Sequence, residues 1–285
     1  MEHYYEFAGI SVSVCADASI QYADHGVLEP YLSSECKEIK HRFAFELVDY
    51  ILPAEGICVY QDIGMQIYHS EDTVIRYAGT IGSPHMRIQR KGNDSIVHCL
   101  RSVYPNGVSP KTVLNAMEAE HLIVRNDGFI LHASFIRIGE RAILFTAPSG
   151  TGKSTQADLW CRFRKAELIN GDRAAVMVED GKVFAYGIPF SGSSGVAKNA
   201  KLPLAAIVYL SQAPTNSVDE WKGFQAFRKI WEGCSVNVWD GEDMAQASET
   251  VLNVLKSVPV FHLSCTPDQA AVDALASVLL QRGYL

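Results

Sequence analysis

The residues best suited to chemistry stand in the run Ala147-Pro148-Ser149-Gly150-Thr151-Gly152-Lys153-Ser154-Thr155. Its end, Gly152-Lys153-Ser154, fits the P-loop (Walker A) pattern, with Ala147 where the strict pattern has glycine. Each residue type has a physical reason to be there. Gly150 and Gly152 tolerate φ > 0, so backbone N–H groups can turn inward around phosphate oxygens. Those donors would open a helix, whose N-terminal partial positive charge favours an anion. Lys153 can reach the β- and γ-phosphates of a nucleotide, and the Ser154 hydroxyl can ligate Mg²⁺. Ser149 to Thr155 therefore form a candidate site for ATP.

Such a site also needs a carboxylate for the metal. Asp172 is the leading candidate, because it ends a short apolar run, Leu168-Ile169-Asn170, directly after the expected P-loop helix. That run is expected to be a strand beside the P-loop strand. The plainer alternative is a turn aspartate following Asn-Gly. Arg173 suits either stabilisation of transferring phosphate charge or a surface ion pair. His132 lies in an apolar run, Leu131-His132-Ala133-Ser134, and is either a packed histidine or a functional one. The loop 187–195 holds glycines and serines that suit closure over phosphates or a plain surface connection. Lys198 and Lys201 follow it and would meet an anionic substrate or only solvent.

The elements that must position these groups are legible from periodicity. Ile143 to Thr146 reads as a strand, followed by the glycine turn and a helix from Lys153. Before them, 122–147 reads as strand, turn, strand, turn, strand, with turns at Asn126-Asp127-Gly128 and Gly139-Glu140. After them come a hairpin over 174–187, a strand over 204–212, helices over 217–231 and 243–256, a strand over 259–265 and a closing helix from Pro267. The first hundred residues carry short β-rich runs (4–16, 43–52, 59–69, 72–81, 85–92, 95–102) and an expected hairpin at Gly92-Asn93-Asp94. They suggest an antiparallel sheet unit without catalytic motifs. The stretch 103–110 has two prolines and an Asn-Gly turn, and Ser109-Pro110 opens a helix to about His121. A boundary there divides the chain into a β-rich domain, 1–106, for substrate recognition or assembly, and a P-loop domain, 107–285.

Composition narrows the classes. The chain has 285 residues and a net charge of −7, which gives no basic footprint for nucleic acid. No apolar run reaches the roughly 18 residues that span a bilayer. The N-terminus lacks the pattern of a signal peptide. Seven cysteines, scattered and without CxxC spacing, suggest reduced thiols in a cytoplasmic protein.

Taken together, Leu131-His132-Ala133-Ser134, Pro148-Ser149-Gly150-Thr151-Gly152-Lys153-Ser154 and Leu168-Ile169-Asn170-Gly171-Asp172-Arg173-Ala174 resemble the HPr kinase and phosphoenolpyruvate carboxykinase group. The resemblance covers roughly 120–285. Residues 147–160 are especially similar to HPr-kinase-related proteins found with peptide-modifying gene sets, including lasso-peptide tail kinases. The resemblance implies an α/β fold with a mixed-sheet kinase domain of the phosphoenolpyruvate carboxykinase-like type and a smaller β-rich N-terminal domain. It also implies ATP- and Mg²⁺-dependent phosphorylation of a hydroxyl, most often a serine of a peptide or protein, and a functional role for His132. Relatives often assemble, so a homo-oligomer is a further implied form. One departure stands out. The family has two adjacent aspartates, one for the acceptor hydroxyl and one for metal, whereas this chain reads Gly171-Asp172-Arg173. Asp172 then takes the metal with Ser154, and the base is His132 or Asp172 itself. Lys153, Asp172, His132 and Arg173 are the expected catalytic set. Two alternatives accompany this reading: a non-catalytic nucleotide-binding regulator and a small-metabolite kinase.

Overall fold

A computed structural model of the chain describes residues 2–16, 25–34 and 38–285. Its contacts form two compact units, Met1–Leu122 and Ile123–Leu285. The junction expected at 106/107 precedes a helix pair, and the division between units follows most of it.

The first unit contains strands β1 (Glu2–Phe7), β2 (Ile10–Ala16), β3 (Leu32–Ser33), β4 (His41–Val48), β5 (Ile57–Gln61), β6 (Met65–Ser70), β7 (Thr73–Thr80), β8 (Ser83–Lys91) and β9 (Asp94–Leu100). They form one sheet in the order β3-β1-β2-β4-β9-β8-β7-β6-β5. The sheet is mixed rather than antiparallel, because β2 with β4 and β4 with β9 run parallel. The β-rich runs 4–16 and 59–69 each fold as a hairpin. Ala8 and Gly9, both at positive φ, turn β1 into β2. Asp62 accepts from the N–H groups of Gly64 and Met65, which folds the chain between β5 and β6. Helix α1 (Pro110–Ala116) begins as expected, with the Ser109 hydroxyl accepting from the Thr112 N–H. It stops early, since Glu118 takes φ +47°, and α2 (Ala119–Val124) follows. Residues 122–124, expected as strand, thus close a helix.

The second unit contains β10 (Gly128–Ile138), β11 (Arg141–Thr146), α3 (Lys153–Arg164), β12 (Glu167–Asn170), β13 (Arg173–Glu179), β14 (Lys182–Gly187), β15 (Lys201–Gln212), β16 (Ser217–Trp221), α4 (Gly223–Trp231), β17 (Cys234–Ser235), α5 (Gly241–Val254), β18 (Val260–Cys265) and α6 (Gln269–Gln281). Its strands lie in the order β11-β10-β13-β14-β15-β18-β16. β15 also pairs in parallel with β11, which closes β10, β11, β13, β14 and β15 into a ring. The unit is therefore mixed α/β with a large mixed sheet. Residues 217–231, expected as one helix, are a strand and then a helix. Ser-Val-Asp-Glu-Trp suits a sheet edge beside β18, and Gly223 at φ +56° redirects the chain into α4.

Alternation along β11 shows why the sheet holds a core on each face. Ala142 and Leu144 enter a cluster with Phe129, Leu131, Ile230 and Val251, while Ile143 and Phe145 enter another with Ala157, Trp160, Leu275 and Leu279. The first cluster packs α4 and α5, the second α3 and α6. Both β11 faces are dry, so the turn that follows it is held firmly at its root. No helix among the described residues is long and apolar enough to cross a membrane.

Candidate active site

The turn between β11 and α3 has the conformation its glycines allow. Gly150 sits at φ +78° and Gly152 at φ +118°, and neither has a heavy atom within 4 Å of where a Cβ would stand. Open space at both positions lets a ligand approach the backbone closely. Gly152 caps α3 without a side-chain bond, and its carbonyl accepts from the Gln156 N–H at 2.9 Å. The first N–H groups of α3 therefore keep no side-chain partner from the cap, which suits an anion. Lys153 is buried, and its Nζ donates to the carbonyls of Ala147 at 2.9 Å and Pro148 at 3.3 Å. Burial lowers its pKa, and the charge of Asp172 partly offsets that. Ser149, Ser154 and Thr155 are exposed on the loop and first helical turn, and Thr151 is partly exposed.

Asp172 arrives from an unexpected direction. β12 pairs with β10, not with the P-loop strand β11. β11 already has β10 on one side and β15 on the other, so no ladder is left for β12. Asp172 still comes near Lys153, because β10 carries His132 beside it. His132 Nδ1 lies 2.9 Å from the Asp172 carbonyl and 3.4 Å from its Oδ1. A carbonyl can only accept, so Nδ1 bears the proton and Nε2 of the neutral ring is left as an acceptor. Burial lowers the His132 pKa, with the positive charge of Lys153 adding to it and Asp172 opposing. The ring is 38% exposed, which leaves it within reach of a substrate. Arg173 Nε lies 3.4 Å from Asp172 Oδ2, and its guanidinium covers the Phe190 ring at 5.2 Å. His132, Lys153, Asp172 and Arg173 thus form one electrostatic cluster.

Sequence reasoning missed the residue that holds Asp172 in place. Asn170 is fully buried; its Oδ1 accepts from the N–H groups of Asp172 and Arg173, and its Nδ2 donates to the Ile188 carbonyl at 2.8 Å. The signal is in the sequence, since Asn-Gly-Asp invites an Asx turn, whereas turn composition alone does not name its anchor. The loop 187–195 does lie over the cluster, where Gly192 touches Asp172 and Gly171 backs onto Ser194. Lys198 and Lys201 are not part of it. They pair with Glu167 and Glu179 respectively.

Cavities border the glycine turn: a shallow one of about 420 Å³ along 148–151 and 209–212, and two that are more enclosed. One of about 640 Å³ is lined by Gly150, Gly152, Thr155, Gln156, Gln212 and Cys265. The other, of about 330 Å³, is lined by His132, Thr146, Ser149, Tyr209, Lys229 and Cys234. Both volumes lie in the range of small-molecule sites. The six described cysteines are free thiols, and burial raises the pKa of Cys234; Cys36 lies outside the described residues.

No family model matches the chain, and no curated protein matches it in sequence. Among solved structures, the chain is similar to the HPr(Ser) kinase/phosphatase from Coxiella burnetii, at 12% identity over 54% of this chain and 98% of that chain, with a TM-score of 0.33. A likeness of that size carries no functional argument, so the reading of the site rests on its own residues.

Proposed function

We propose that the chain is an ATP- and Mg²⁺-dependent kinase that phosphorylates a hydroxyl, in the first instance a serine of a peptide or protein. One observation carries the reading: a glycine turn at a helix N-terminus gathers a buried lysine, a carboxylate and a neutral histidine with a free ring nitrogen. In this scheme the backbone of 149–155 binds the phosphates and Lys153 neutralises their charge. Mg²⁺, held by Ser154 and Asp172, supplies further charge neutralisation at the phosphates. The acceptor oxygen attacks the γ-phosphorus, the bond to the β-phosphate oxygen breaks, and the hydroxyl proton passes to His132 Nε2.

The division of labour answers the single aspartate. The Asp172 carbonyl orients the His132 ring, which leaves its carboxylate available for the metal. Arg173 borders the same carboxylate and adds positive charge near the transferring group. The larger cavity takes the nucleoside and the smaller one the acceptor. The phosphoenolpyruvate carboxykinase-like fold type, a cytoplasmic setting and a recognition role for residues 1–106 belong to the same proposal.

The test is transfer of label from γ-labelled Mg·ATP to serine-containing peptides. Wild type transfers it, and Lys153→Ala loses both transfer and ATP-induced thermal stabilisation. That stabilisation reaches about 2.7 kcal/mol at 100 times Kd. Tight, Lys153-dependent ATP binding without transfer to any acceptor would instead favour a nucleotide-dependent regulator, the alternative that Gly171-Asp172-Arg173 suggests. Transfer to small hydroxyl compounds but not peptides would favour a metabolite kinase, which the 330 Å³ cavity could also serve.

A further inference from the structure

The sheet face leading away from the smaller cavity changes character along a single line. Four residues stand in register across four strands: Thr146 opposite Tyr209, Tyr209 opposite His262, and His262 opposite Asp219. Residues in register share a face, so these side chains make one row. Two residues further down each of these strands stand Leu144 and Ile207, Val260 and Trp221. Leu144, Ile207 and Val260 belong to the dry core under α4 and α5, and Trp221 packs against it. At the change from apolar to polar, the Lys229 ammonium of α4 lies over the Tyr209 ring, 5.3 Å from its centroid.

The row begins at buried Thr146, whose register partner on β10 is Ala133, and it reaches His132 through the smaller cavity that both line. The Thr146 hydroxyl donates to the His132 carbonyl at 2.9 Å, and Thr146 and Tyr209 both line the smaller cavity. From Tyr209 the row continues as a stepped aromatic ledge. His262 stacks on Trp221 at 4.2 Å between ring centroids, and Tyr209 lies 5.3 Å from Trp221. Ser211 lies 2.8 Å from His262 Nε2 and 3.0 Å from Ser264, which adds hydroxyls along the upper edge. At its far end Asp219 is exposed, on the edge strand β16. Its negative charge reaches His262, where it opposes the pKa lowering that burial causes.

We infer that this row is a groove for an extended peptide acceptor, with the phosphorylated serine at the His132 end and a basic side chain at Asp219. The inference rests on the kinase reading above and names its substrate class. A planar guanidinium fits the far end, since it can pair with Asp219 and stack on an aromatic face. Spacing sets the register. Four strand intervals of about 4.8 Å separate β10 from β16, a span of about 19 Å. An extended chain covers that in about six residues, and the reach of an arginine side chain shortens it to about four to six.

The experiment uses the full chain and alanine-rich peptides carrying one serine, with a single arginine stepped outward from it. Fluorescein-labelled versions report binding by anisotropy, independently of any transfer. The expected result is a binding optimum with arginine about four to six residues from serine. Asp219→Asn should flatten that optimum, and Asp219→Lys should shift preference to glutamate at the same position. An exposed pair of this kind corresponds to about fivefold in affinity. ATP-induced stabilisation should be unchanged in both variants. A binding profile that is flat, or identical in wild type and Asp219→Lys, overturns the groove whether or not label is transferred. Binding that depends on Asp219 with no label transferred upholds the groove and counts against the kinase reading.

Discussion

Gly192 and Asp172 touch so closely that a Cβ on the glycine would stand 2.7 Å from both Cβ and Cγ of the aspartate. Gly192 also sits at φ +54°, where a side chain is strained. The loop 187–195 thus presses bare backbone against the carboxylate and fixes its position.

Replacing Gly192 by alanine should displace that carboxylate. A shift of about 1 Å in a reacting group can cost on the order of 10²-fold in rate. We expect Gly192→Ala to lose transfer on that scale while binding of metal-free ADP stays within error. Equal loss of both, measured by calorimetry and label transfer, would mean that the loop supports the fold rather than the carboxylate.

Asn170→Ala should be costly in two ways. It takes the Asn170 acceptor from the N–H groups of Asp172 and Arg173 and leaves the Ile188 carbonyl with the Phe190 N–H alone of its two donors. Stability should fall by about 2 kcal/mol, read as a lower urea midpoint. Asn170→Asp keeps the acceptor but loses the donor to Ile188, so it should recover part of the midpoint.

His132 gives a pH signature. Its pKa is lowered by burial and by Lys153, so the ring stays neutral to below the ordinary value of about 6.5. Transfer should therefore hold as pH falls to about 6.5 and decline below it, as the ring protonates and loses its acceptor nitrogen. His132→Gln should remove that acid limb together with about 10²–10⁴-fold in rate. An unchanged limb in the variant would assign it to another group.

His41 gives a second signature, in stability. It is buried against Ser95, and burial, with the charges of His121 and Arg90, lowers its pKa to about 4. Below about pH 6.5 the unfolded chain takes up a proton that the folded chain refuses. The stability present above pH 6.5 is thus lost progressively down to about pH 4 and amounts to roughly 3 kcal/mol. Urea midpoints between pH 7 and 4.5 should fall less steeply in His41→Asn than in wild type.

The strand, glycine turn and helix over 141–164 were legible because their geometry is local. Glycine, lysine and serine at fixed spacing between a dry strand and a helix need little beyond themselves. The Ser109 cap and the 174–187 hairpin were legible for the same reason. The partner of β12 was not, since nothing in Glu-Leu-Ile-Asn records that β11 has both ladders occupied. The strand over Ser217–Trp221 was hidden because Val218 and Trp221 fit a helical stripe as well as a strand, and only the edge of β18 decides. The polar row was invisible for a stronger reason. Thr146, Tyr209, Asp219 and His262 lie far apart in sequence and meet only through register.

The ring of strands also has a temporal meaning. β11 gains its second ladder only when residues 204–209 have been made, and β10 is capped by residues 234–235 later still. Such distant pairings form slowly and late. A nascent chain that has exposed its glycine turn therefore still lacks the walls that hold it. On the kinase reading, nucleotide binding therefore waits until residues 204–235 have joined the ring.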